Sequence, residues 1–125
     1  MQSLYSVVLE TDNPIETPTA VKINANGKLE PCDNATDFIG VAIPGLEPDL
    51  QTLRMQAATG PLVVYHKGLS TATVSAGTYE KGTKLTIDGT NAGRLKVAGS
   101  SDLVVAVAIQ SETVTDTAVI QVLIL

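Results

Sequence analysis

Residues 27–43, GKLEPCDNATDFIGVAI, and residues 93–109, GRLKVAGSSDLVVAVAI, are equal in length and built alike. Each opens on Gly, a basic residue and Leu, and each closes on a short apolar run in which large and small side chains alternate. Successive strand residues face opposite sides of a sheet. Ile39, Val41 and Ile43 therefore share one face, and Gly40 and Ala42 the other. The second stretch repeats this with Val105, Val107 and Ile109 against Ala106 and Ala108. The expectation is that the large side faces the core, that the small side admits a second layer closely, and that a charge at Val107 prevents folding. A run apolar on both faces reads as a central strand.

The likeness extends outward from this pair. IETPT at 15–19 lies opposite YEKGT at 79–83, Val21 to Ile23 opposite Leu85 to Ile87, and LRMQA at 53–57 opposite AVIQV at 118–122, which sets Gln56 against Gln121. The hairpin loop at 88–93 is two residues longer than its counterpart at 24–27. Order and spacing hold over most of the chain, which reads as an internal duplication, with halves at about 19–61 and 62–125. A half of that size is marginal alone, so the halves are expected to share one core. The segments are short, turn signals recur between them, and no stretch of helical length shows a 3.6-residue apolar period. The fold class expected is all-β: a compact sandwich or barrel of short strands with little helix. Residues 1–18, broken by Asp12, Asn13 and Pro14, read as an extended arm ahead of a single β domain at 19–125.

Composition narrows the function. Of the 125 residues, 44% are hydrophobic but only 3% aromatic, so the core must be aliphatic. The net charge is −5 and the eight basic residues are scattered; a surface that tracks phosphates needs them clustered. Neither nucleic acid nor an anionic membrane is an expected partner. No apolar stretch has the length of a membrane span, and the first residues carry no basic start or apolar run of signal-peptide type, so a soluble protein made without export is expected. Cys32 is the single cysteine. It excludes an internal disulfide, and its counterpart Ala98 marks a position that needs only a small side chain.

No cofactor or metal is called for, and no enzyme motif is present. His66, the one histidine, ends an expected strand without a local nucleophile or carboxylate partner. Asp33, Asn34 and Asp37 fall in one loop, and Asp88, Thr90 and Asn91 in another. Neither follows a calcium-loop spacing, and turn chemistry accounts for both. The last strand is more informative. Ile120 suits a core face, while Val119, Gln121, Leu123 and Leu125 share the opposite one. Either that strand is buried on both sides or its second face is a subunit interface built from Val119, Leu123 and Leu125.

TPTAVKINANGKLEPCDNATDFIGVAI (17–43) followed by LRMQAATGPLVVYHKG (53–68) resembles the body of the lambda-type head-decoration, or cement, proteins of tailed bacteriophages. Residues 79–125, with KGTKL, GRL and VAVA runs and a terminal VIQVLIL, are similar to another group of small phage structural proteins. The resemblance implies a non-enzymatic virion protein on the outer capsid surface that stabilises the head, assembles as a homotrimer and contacts the major capsid protein. It also implies capsid contact through the N-terminal arm, at Ser3, Leu4, Tyr5, Ser6, Val7 and Val8. The arm is shorter and more apolar than in lambda-type members, and Trp is absent, so the manner of attachment does not carry over. The alternative is a β-sandwich binding module, as a head-fibre base or a binder of host-surface glycans. It would use exposed aromatics drawn from Tyr5, Phe38, Tyr65 and Tyr79.

Overall fold

The computed structural model describes residues 6–11, 13–43, 56–58 and 62–125. Its strands in chain order are β1 (Ser6–Leu9), β2 (Ile15–Thr17), β3 (Thr19–Ile23), β4 (Leu29–Pro31), β5 (Gly40–Ile43), β6 (Gln56–Ala58), β7 (Leu62–Tyr65), β8 (Gly68–Tyr79), β9 (Lys84–Ile87), β10 (Leu95–Val97), β11 (Ala106–Ala108) and β12 (Glu112–Ile124). The one helical element among the described residues is the 3-10 turn Ala35–Asp37. The protein is all-β, as expected from its short apolar runs.

Ten of the strands form two sheets of like design. The first has the order β1-β7-β5-β3-β4, and the second is a closed barrel, β10-β8-β12-β11-β9. The ladders match residue for residue. Val21 pairs with Pro31 and Gly40 in the first unit, and Leu85 with Val97 and Ala106 in the second. Val41 faces Tyr65 as Val107 faces Leu123. Leu9 faces Leu62 as Ala72 faces Ile120. A parallel pairing of Val74 with Leu95 closes the second barrel, and a parallel bridge between Thr11 and Leu29 brings the same two edges together in the first. The duplication is thus a tandem of two five-stranded units. The ribbon of β2 with β6 continues the first unit where the long β8–β12 pair continues the second.

Local chemistry sets the hairpins. In the β3–β4 turn, Asn24 Oδ1 accepts from the amides of Asn26 and Lys28 at 2.9 and 3.0 Å. In the β9–β10 turn, Asp88 Oδ1 accepts from Thr90 and Asn91 at 3.0 and 3.3 Å. Each turn then passes through a glycine in the left-handed region, Gly27 at φ 75° and Gly93 at φ 89°, where a Cβ is disfavoured. The two glycines that open the repeated stretches are there because the hairpin needs them.

Four expectations are corrected. First, in the second stretch the small residues face the barrel core; Val41, Ile43 and Val105 are buried, as the large side was expected to be, but Val107 is not. Ala106 and Ala108 are fully buried in the second core, paired with Ile124 and Val122, while Val107 is half-buried on the outer surface. A five-stranded barrel has a narrow bore, and small residues on one strand make room for large ones on the next. Second, the counterpart of Ile120 to Leu123 is β7. LRMQA at 53–57 lies partly outside the described residues, and Gln56 belongs to β6. The register aligns Val63, not Gln56, with Gln121. The first sheet accordingly runs through Tyr65, beyond the expected division at residue 61. Third, the segment over 1–18 is not a separate arm where it is described: β1 pairs with β7, β2 pairs with β6, and Ile15 is buried. The consecutive apolar, β-branched residues of β1 (SVVL) favour the extended backbone that completes the sheet.

Fourth, the units do not share one undivided core. Val21, Leu29, Ala42, Leu62 and Val64 form a core of the first unit. Ala72, Val74, Leu85, Leu95, Ile120, Val122 and Ile124 belong to the second. The second core also takes in Ala20, Cys32 and Val41 from the outward face of the first sheet, and this joins the units.

Candidate functional site

The junction between the units shows how this fold makes a contact. Gly93, at the tip of the β9–β10 hairpin, is buried and lodges where β4 leaves β3. Its carbonyl accepts from the Ala20 amide at 3.0 Å, and its amide donates to the Cys32 carbonyl at 2.9 Å. Thr19 Oγ1 donates to the same Gly93 carbonyl at 3.3 Å, and Thr73 Oγ1 donates to the Pro18 carbonyl at 2.6 Å. A Cβ at Gly93 would run into Thr19 Oγ1. Cys32 is fully buried here, with Sγ donating to the Asn34 carbonyl at 3.0 Å, and burial pushes its thiol pKa up. The position serves packing.

Beside the junction, Asp88 sits in a small polar network. Its Oδ2 accepts from Ser75 Oγ at 2.6 Å and from Asn91 Nδ2 at 3.1 Å. Burial alone would raise its pKa. The hydrogen bonds from Ser75, Asn91 and the Thr90 and Asn91 amides outweigh burial and hold the carboxyl at about 2. Tyr79, fully buried, donates to the Ser75 carbonyl at 2.6 Å. Burial, with the charge of Asp88 added, pushes its pKa up to about 12. Asp88 thus serves turn geometry. In the other polar loop, Asp33 holds Lys22 at 3.0 Å, and Asn34 caps the 3-10 turn by accepting from the Thr36 amide at 3.0 Å. Among the described residues no group of three acidic, Cys or His side chains is placed to hold a metal.

Two open concavities, of about 510 and 390 Å³, lie beside Tyr79 and Glu112 and beside Pro14 and Leu29. His66, half-buried between β7 and β8, lines neither.

The residues singled out for contacts fall in three groups. Ser3, Leu4 and Tyr5 lie outside the described residues. Ser6, Val7 and Val8 are in β1, at the end of the first sheet, with Val7 and Val8 exposed. At the other end of the chain, Leu123 and Leu125 are exposed, but Val119 is buried. Val119 faces Thr73 across the ladder, and Thr73 is tied to the first unit through Pro18, so Val119 is sequestered at the junction. The exposed apolar side chains Val97, Leu69 and Ile23 were not singled out, because which face of a strand lies outside depends on how the sheet closes. Comparison with protein-family models and with curated proteins finds no match.

Proposed function

We propose that the chain is a decoration (cement) protein that binds the outer surface of a tailed-phage head and stabilises it as a homotrimer, with the major capsid protein as its partner. The observation that carries this reading is the free side of β1. Over Ser6–Leu9 the strand pairs with β7 alone among the described residues, and Val7 and Val8 are exposed. An apolar sheet edge offers main-chain hydrogen bonds to an extended segment of a partner, with little demand on side-chain identity. The resemblance of both halves to small phage structural proteins supports the major capsid protein as that partner. A stiff β body with a net charge of −5 also suits a protein surrounding a DNA-filled shell, because it does not attract phosphates.

The test is incubation with undecorated, expanded phage heads. Co-sedimentation and a higher temperature of DNA release are expected, with Val7→Lys weakening both. Absence of binding together with no gain in heat resistance would overturn the assignment. The glycan-binding reading is less well supported: Tyr79 is buried and Tyr65 and Phe38 pack against the core, which leaves no flat aromatic platform among the described residues.

A further inference from the structure

Among the described residues the tandem carries one contact surface of each kind in use and one of each kind uncovered. We infer that the second unit of one copy receives the first unit of another copy through the same contact the two units make within the chain. The ladder register allows each surface to be compared position by position. On the receiving face of the first unit, Ala20, Cys32 and Val41 are fully buried by the second unit. Their counterparts Lys84, Ala98 and Val107 lie at the surface of the second unit, with exposed Val97 and Leu123 beside them. The slot itself is preserved. Ala98 donates to the Lys84 carbonyl at 2.9 Å as Cys32 donates to the Ala20 carbonyl at 2.8 Å, so the strands diverge at the same point.

The inserting face shows the reverse relation. In the second unit Thr71 is 4% exposed and Ile87 5%. Their counterparts in the first unit, Val8 and Ile23, are 51% and 48% exposed. Gly93 is buried in the slot, whereas Gly27 has the same left-handed backbone and no atom within 4 Å of its Cβ position. The first unit thus presents an unused hairpin tip flanked by two apolar side chains, and the second presents an unused slot flanked by two more.

Such a contact is heterologous: two different surfaces meet, and each copy keeps one of each. It closes into a ring or continues as a filament. The inference concerns the chain alone and needs no capsid. If the proposed function holds, the ring is the trimer, with the outward face of β1 given to the neighbouring copy and its edge to the shell.

Sedimentation velocity and light scattering on the full chain, from micromolar to millimolar concentration, are the first measurement. Self-association is expected. Gly27→Asn blocks the inserting tip: Asn tolerates the left-handed region, the free turn has room for it, and in the slot its Cβ would meet Thr83 as a Cβ at Gly93 would meet Thr19. Leu123→Asp blocks the receiving face. Each variant should keep the parent circular dichroism and raise the dissociation constant about tenfold or more, equivalent to losing one good interaction. Mixed, they should form a one-to-one heterodimer, since one retains the slot and the other the tip. If Leu123→Asp does not fold, Lys84→Glu replaces it. A chain that stays monomeric throughout, association untouched by Gly27→Asn, or folded variants that do not complement would each overturn the inference. A failure to bind heads with association intact would count against the capsid assignment alone.

Discussion

Asp88 and Tyr79 make the second unit respond to pH at both ends. The Asp88 carboxyl is held at about 2 in the folded protein, below the roughly 3.9 of an unfolded chain. Its contribution is complete above that unfolded value and is lost as pH falls through the folded one. Stability should therefore decline between about pH 4 and pH 2, by on the order of 2 kcal/mol. Tyr79, raised to about 12, has the opposite sign. Its contribution is complete below the unfolded value of about 10 and is lost as pH rises toward 12. Urea melts across pH should show both limbs. Asp88→Asn should flatten the acid limb and Tyr79→Phe the alkaline one. At the hairpin tips, Gly93→Ala should destabilise the isolated chain clearly more than Gly27→Ala. Both place a side chain at positive φ, worth about 1–2 kcal/mol, but only Gly93 has Thr19 in the way. Denaturant midpoints decide it.

At the scale of elements, β11 separates core from surface within three residues. Ala108→Leu adds volume to a filled bore and should lose about 1–3 kcal/mol. Ala108→Asp would bury a charge and prevent folding. Val107→Asp, on the outer face of the same strand, should leave a folded protein with a lower tendency to associate. Thermal melts together with light scattering test all three, and a Val107→Asp chain that fails to fold would restore the inward reading of the large side chains. The existence of this strand was legible in its alternation, because a period of two is a property of the local backbone. Its orientation was not. Either face of VAVA can pack, and the narrow bore, formed by strands far apart in sequence, selects the small one.

For the whole molecule, two units of like register in one chain give two copies of one hairpin tip and one sheet face. The contact that Gly93 makes with Ala20 and Cys32 shows what the fold does with its hairpin tip and sheet face. In the self-association inferred above, the exposed tip at Gly27 and the face at Lys84, Val107 and Leu123 would carry that contact beyond one chain. A head decorated by such rings would gain heat resistance through many weak contacts acting together. Head-stability assays should therefore show a larger effect for the parent than for Gly27→Asn at equal bound protein.

The sequence by itself determined the all-β class, the hairpins at Gly27 and Gly93, the match of Cys32 with Ala98 and the fact of duplication. These rest on period-two alternation, turn chemistry and spacing, which act over a few residues. Only the tertiary structure decided that β7 rather than residues 53–57 matches the last strand, because equivalence there is set by ladder partners and not by residue likeness. It also decided that Val119 is buried while Leu123 is free. Both lie on one face of β12, and the first unit covers that face at Val119 but not at Leu123. No local pattern records where a neighbouring unit ends.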